Sequence, residues 1–338
     1  MTDNNKKHAD IFDVAKAANV STATVSRALN HPSKVRAYTR KRIERAILET
    51  GYIRNRAAQA IHGTKSGTIG LVVPTLDNAI FSKLIQAFSD ELQKNGFSML
   101  VATHDYDLDR ELELVRTLLG HRVEGIALIG LTHRDHTLDL LKKREVPMMC
   151  LWSYDDETQL NCVGGNNFQA GMILAQHLTN NKVSKVVTMF PDGTDNDRVS
   201  KRFDGILAGF SAVGVEIPNM QRLVSRYSVA EARKVAHRYL STFELPEVFV
   251  AGNDVIAQGI ISELQAREIP IPNDVSVVGF GDFTSSADVF PSITTIRMSP
   301  SKVGVIGATE LIELVRNSTN DLKKIEVPVE LLVRQSSF

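Results

Sequence analysis

The sequence predicts an α/β chain with a small helix-turn-helix head and a larger core of parallel sheets in two lobes. Three observations predict it. Up to Gly63, twelve Lys and Arg stand against five Asp and Glu, a formal +7; the remainder carries 27 against 34, a −7. Helix-spaced apolar stripes fill the first fifty residues or so, and alternating strand and helix signals fill about 270 more. A net charge of zero therefore hides a cationic head, suited to a polyanion, on an anionic body that is not.

In the head, Ile11, Val14, Ala15 and Ala18 form the i, i+3, i+4, i+7 stripe of a short amphipathic helix, with Asp10 placed as its N-cap. Asn19-Val20-Ser21 interrupts that pattern. A second helix, Thr22 to Leu29, puts Val25 and Leu29 on one face, and Asn30-His31-Pro32-Ser33 reads as a turn. A third helix has Thr39 as its expected cap and Ile43, Ala46 and Ile47 facing inward, ending before Gly51. Two short helices joined by a tight turn and braced by a third make a helix-turn-helix domain, whose second helix enters a major groove by its N-terminal end. Thr22 and Ala23 would then face base edges, with Arg27 one turn on reaching a base or phosphate. Ser21, Thr24 and Ser26 are hydroxyl donors suited to phosphate oxygens. Lys34, Arg36, Arg40, Lys41 and Arg42 form a second cationic cluster fit for backbone contacts.

Three blocks, Ile11 to Ala15, Ser21 to Asn30 and Thr50 to Ala58, resemble the head of the lactose repressor/galactose repressor family in order and spacing. The resemblance adds Asn30, Tyr52, Asn55, Arg56, Ala58 and Ile61 to the expected DNA-binding residues. It also implies a hinge helix over 55–61 that forms on operator binding and enters the minor groove. Its three alanines favour helix, but it spans under two turns, so it is marginal alone. Ile61 stands where the family usually has a leucine wedge, and remains apolar. The expected divisions are 1–54 for the head and 55–67 for hinge helix and linker, the latter ending in the small residues of 63–67.

Beyond the linker, strands are expected at Thr68 to Val73, Ser98 to Ala102, Gly125 to Ile129, Met148 to Leu151, Val186 to Phe190, Val248 to Ala251 and Val275 to Phe280. Helices are expected between them, including 81–94, 109–119, 202–212, 230–240 and 254–267. Near-continuous apolar strands alternating with helices imply parallel sheets covered on both faces. Ala251 to Gly259, Asp274 to Asp282 and Ile293 to Ile296 resemble the same family's effector-binding core, which is similar to periplasmic sugar-binding proteins. That resemblance implies two lobes on a hinge within 68–338. Lobe 1 would hold about 68–160 and 293–325, and lobe 2 about 161–292 and 326–338.

In open parallel sheets, ligands bind beyond the carboxyl ends of strands. Asp77 and Phe81 follow the first strand. Asp195, Asp197 and Arg202 follow the strand at 186–190, and Arg202 opens an Arg-Phe-Asp-Gly element that resembles the family's ligand-contacting arginine. Asn253 and Asp254 follow 248–251, and Asp282 follows 275–280. Carboxylates, an arginine fork and an aromatic plate suit a polyol, and Asp254 and Arg202 lead this set. Trp152 and Tyr154 are placed to line the same cleft. Asn166 stands where the family often carries aspartate, so no acidic contact is expected there.

Several classes find no support. Cys150 and Cys162 are only two and no signal peptide precedes them, so a reducing bacterial cytoplasm is expected, with Cys150 a buried small hydrophobe. No apolar run spans a membrane, and no phosphate loop, nucleophile elbow or metal-spaced cluster occurs. His133 and His136 read as a solvated loop pair, and no metal or cofactor is expected. The chain is therefore expected to be a homodimeric DNA-binding regulator, a repressor reading a pseudo-palindromic operator, gated by a sugar or sugar acid. The rival readings are a cytosolic small-molecule binding protein, which needs no basic head, and an α/β enzyme acting on a sugar, which needs a catalytic constellation.

Overall fold

Short helices need their exposed backbone ends capped, and the head supplies caps from its own side chains. The computed structural model describes residues 9–53, 66–77, 79–317 and 321–338, and separates into two compact units, Met1–Ser66 and Gly67–Phe338. In the first unit, helix α1 (Ile11–Ala17) starts at Asp10, whose carboxylate accepts from the Phe12 and Asp13 amides while Asp13 accepts from the Asp10 amide. Helix α2 (Thr22–Asn30) starts at Ser21, whose Oγ accepts from the Thr24 amide at 3.2 Å. Helix α3 (Ala37–Thr50) begins at Arg36, so Thr39 lies inside the helix and is not its cap. Val14, Ala15, Ala18, Val25, Ala28, Ile43 and Ala46 bury their side chains together. The expected hinge helix, with Asn55, Arg56, Ala58 and Ile61, lies outside the described residues.

The second unit holds two six-stranded sheets. The first builds from β1 (Thr68–Val73), α4 (Ala79–Lys94), β2 (Ser98–Thr103), α5 (Leu108–Gly120), β3 (Gly125–Ile129), α6 (Asp135–Lys143), β4 (Met148–Ser153) and β5 (Cys162–Gly165). The second follows with α7 (Asn167–Asn180), β6 (Val186–Phe190), α8 (Asp197–Ser211), β7 (Arg222–Val224), α9 (Val229–Leu240), β8 (Val248–Ala251), α10 (Asp254–Ala266), β9 (Ser276–Gly281) and β10 (Thr294–Arg297). The chain then places α11 (Pro300–Asn317) against α4, β11 (Lys324–Glu326) beside β5, and β12 (Glu330–Leu332) beside β10. Strand order is β11-β5-β4-β3-β1-β2 in one sheet and β12-β10-β9-β8-β6-β7 in the other. Only the β10–β12 pair is antiparallel among the described strands. β1, β3, β6, β8 and β9 are buried almost throughout, as strands covered on both faces must be.

The lobe boundaries expected near 160 and 293 are displaced. Cys162–Gly165 belongs to the first sheet and Thr294–Arg297 to the second. Both strands have four residues, too few for periodicity to show, and their sheet is decided by pairing with distant segments. Three crossings join the lobes: after β5, between β10 and α11, and between β11 and β12. They lie side by side, since a Cβ added at Gly165 would meet Met298 Cε and Val329 Cγ1, each at 2.8 Å. The Val327 amide also donates to the Gly164 carbonyl at 2.8 Å.

Candidate functional site

On α2, Ala23, Arg27 and Asn30 are exposed and fall at i, i+4 and i+7, so they share one outward face. Thr22, Thr24 and Ser26 are half-buried beside them. All three expected phosphate donors also have local partners: Ser21 Oγ lies 2.8 Å from Thr24 Oγ1, and Asn30 donates to Ser26 Oγ at 3.2 Å. Tyr52 packs against the head core. The second cationic cluster divides. Lys34, Arg36 and Lys41 are exposed and Arg40 pairs loosely with Glu44, but Arg42 turns inward and donates to the Ala18 and Asn19 carbonyls. Arg42 thus ties α3 to the C-terminal end of α1, which corrects its expected place among the phosphate contacts.

In the second unit, Phe81, Trp152, Arg202 and Asn253 come together in one narrow cavity of about 30 Å³ between the lobes. The expected strand ends of two lobes have therefore met. Trp152 takes a φ of 82° at the end of β4, a left-handed conformation unusual for so bulky a residue. Its indole meets Phe81 edge-on at 5.8 Å. Arg202 lies inside α8, which begins five residues before the expected helix start. Helices α7 and α8 cross in near-contact, because Gly171 and Gly205 have no side chains where the partner backbone passes. The Arg202 guanidinium donates to Asn167 Oδ1 at 2.8 Å and lies 5.3 Å from the Phe280 ring. Burial depresses its pKa to about 10. Asn253 caps α10 through Oδ1, while its buried Nδ2 has no hydrogen-bond partner among the described residues.

The same cavity takes Arg198, Tyr106, Tyr227, Phe280 and Phe283, none of them expected. Arg198 had a readable signal: it precedes Arg202 by four residues on one helix. The others arrive from loops and strands far apart in sequence. Tyr106 and Tyr227 also line a roomier adjoining chamber of about 540 Å³, which includes Asp77 at its rim. Tyr154 lies in a separate depression with Asp155 and Lys201, and Asn166 caps α7.

Two expected effector contacts are corrected. Asp254 is fully buried and accepts from the Phe283 amide (3.2 Å), Ser286 (2.6 Å) and Thr295 (2.7 Å), so its carboxylate latches three segments of one lobe and does not line the cavity. Burial raises its pKa against the pull of those three hydrogen bonds. Asp282 pairs with Arg297 at 2.7 Å and Arg334 at 2.5 Å, where β9, β10 and the C-terminal segment meet. Asp195 and Asp197 instead join the lobes. Arg134 grips Asp195 with two parallel bonds of 3.0 Å, and Ser153 donates to Asp197 at 2.6 Å. Arg198 Nη1 donates to the Ile129 carbonyl at 3.1 Å. It can do so because Gly130 is bare: a Cβ there would lie 2.0 Å from that nitrogen.

His133 is not solvated. Its ring is wholly buried, with Nδ1 at 2.9 Å from Glu111 Oε1 and Nε2 at 3.6 Å from Cys150 Sγ. Burial lowers its pKa, but hydrogen bonds to Cys150 and Glu111 outweigh that and lift it to about 10. Cys150 thus faces a polar partner as well as apolar neighbours. Among the described residues no group of three or more His, Cys, Asp or Glu could hold a metal ion, and no helix is long and apolar enough to cross a membrane.

A capped three-helix head and a two-lobed core with a buried polar cleft define a class of protein: a DNA-reading unit fused to a periplasmic-binding-like domain. Bacterial regulatory proteins of the lacI family match residues 10–55, and the periplasmic binding protein-like domain matches 175–337. Catabolite control protein A of Priestia megaterium is 26% identical, covering 97% of this chain and 98% of its own. The HTH-type transcriptional repressor PurR of Mannheimia succiniciproducens is 27% identical over 97% of this chain and 98% of its own. The fold is shared with a lac repressor dimer bound to operator and the anti-inducer ONPF, at a TM-score of 0.86 and 23% identity over 98% and 99% of the two chains. The chain belongs to the lactose repressor/galactose repressor family, DNA-binding transcriptional regulators and not enzymes.

Proposed function

We propose that this protein is a repressor that binds a pseudo-palindromic operator in the bacterial cytoplasm as a homodimer, under the control of a sugar or sugar acid held between its lobes. Two copies of α2 would enter successive major grooves, with Thr22, Ala23 and Arg27 toward the bases and Ser21, Thr24 and Ser26 toward phosphates. The effector would act through its differential affinity for two arrangements of the lobes, which is the most any ligand can contribute. Phe81, Trp152, Arg202 and Asn253 are the residues assigned to it, with Asp77 at the rim.

One observation carries this reading: the chain that presents an exposed α2 face also holds a buried aromatic cleft whose Arg202 and Asn253 keep donors for a ligand. A mobility-shift assay on promoter DNA from the neighbouring operon tests it. Salt-sensitive, sequence-dependent retardation that one metabolite alters is the expected result. No such retardation, with or without metabolites, would overturn it.

A further inference from the structure

The two ends of the cleft differ in chemistry. At the narrow end, Arg198 and Arg202 lie four residues apart on α8 and are 7% and 6% exposed. Arg202 directs its bonds to neutral oxygens, Asn167 Oδ1 at 2.8 Å and the Gly252 carbonyl at 3.4 Å. Arg198 touches Asp197 at 3.1 Å, but that carboxylate also accepts from Ser153. Two buried cations thus face one contacting carboxylate. Asn253, 3% exposed, lines the same cavity, and its buried Nδ2 donor has no hydrogen-bond partner among the described residues. Each guanidinium carries five N–H donors and spends only part of them on these contacts. A buried cation without a matching anion is costly, so an anion arriving here is strongly favoured.

At the wide end the balance reverses. Asp77, Asp105 and Asp192 outnumber one cation, Arg226, in the adjoining chamber, where Thr75 and Thr194 add hydroxyls, and Tyr106 and Tyr227 form the wall shared by both spaces. Carboxylates at a solvated rim accept from ligand hydroxyls and repel a second ligand anion.

We propose that the effector is a polyhydroxy acid, its carboxylate on Arg198, Arg202 and Asn253 and its hydroxyl chain running toward Asp77, Asp105 and Asp192. Among the groups in contact, two cations to one carboxylate suit a monoanion, with Asp254 acting on Arg202 only from a distance. Arg198 is the residue that sets acid over neutral sugar. Because its guanidinium also reaches Ile129 of the other lobe, the acid group and lobe closure share one side chain. The assignment rests on the cleft being the effector site.

Trp152, the sole tryptophan, lines the cavity and reports binding by its fluorescence. The intact protein is titrated with five- and six-carbon aldonates, the alditols of the same length and the corresponding sugar phosphates, following fluorescence and unfolding temperature. Aldonates are expected to bind at least about tenfold tighter than alditols. Arg198→Gln, shown folded by its unfolding transition, is expected to cut the preference for aldonate over alditol by about tenfold, beyond any loss both ligands share through the missing bond to Ile129, with Arg198→Lys recovering part of the preference. If alditols or sugar phosphates bind as well as aldonates, or Arg198→Gln weakens acid and alditol alike, the acid assignment falls and the cleft remains a ligand site. If no probe of any kind alters either signal, the cleft reading falls and takes the acid assignment with it.

Discussion

Asp254 shows how a single carboxylate can be legible as important and misleading as to why. It follows a strand in the position where ligand contacts gather, yet all its bonding is internal. Its partners Ser286 and Thr295 lie 32 and 41 residues away, a pairing no local pattern encodes. Asp254→Asn would leave buried hydroxyls short of an acceptor and is expected to cost about 1–3 kcal/mol, read as a lower denaturant midpoint with fluorescence-detected ligand affinity retained. Arg202 was legible through its Arg-Phe-Asp-Gly surroundings, whereas Arg198, four residues earlier, lay outside the helix expected from 202 onward and was missed. His133 carries a pH prediction. Its folded pKa of about 10 lies above the unfolded value, so its contribution is full below about pH 6.5 and lost as pH rises through about 10. Thermal unfolding of the native chain and of His133→Gln should therefore converge with rising pH. A gap that stays constant would refute the charged imidazolium.

At the scale of elements, caps decide where the head's helices begin. Asp10 was readable because it directly precedes an apolar stripe. The start of α3 was not, because Arg36 offers no side-chain cap and Thr39 offers a deceptive one. Ser21 serves α2 as cap while standing at its expected phosphate-facing end. Ser21→Ala should destabilise the head by about 0.5–2 kcal/mol, measured by the loss of helical ellipticity on heating, quite apart from any lost phosphate contact. An unchanged transition would mean that packing of Val25 and Ala28 alone holds the helix. The long buried strands were legible from composition, since a strand covered on both faces must be apolar throughout. The four-residue strands β5 and β10 were not, since only their distant partners say which sheet they join.

For the whole molecule, the question is what holds the lobes in their present arrangement. Arg134 with Asp195, Ser153 with Asp197, and Arg198 with the Ile129 carbonyl all bridge the cleft. The last depends on empty space at Gly130, whose φ of 92° also favours glycine. Gly130→Ala is expected to force Arg198 out and open the lobes, seen as a larger radius of gyration in small-angle scattering and weaker ligand response. An unchanged radius would show that the remaining bridges suffice. The two-lobed architecture was legible from length, alternation and family resemblance together. The bridges were not, because each joins residues that meet only after both sheets have formed.

The three crossings set beside one another at Gly165, Met298 and Val329 have a mechanical consequence. Three short tethers packed side by side resist pulling one lobe away from the other, but leave rotation about their shared seam cheap. Such a joint has close to one degree of freedom. Whatever occupies the cleft can then express its binding energy in only one coordinate, an angle, and a small shift of side chains near that axis becomes a larger arc at the far rim of each lobe.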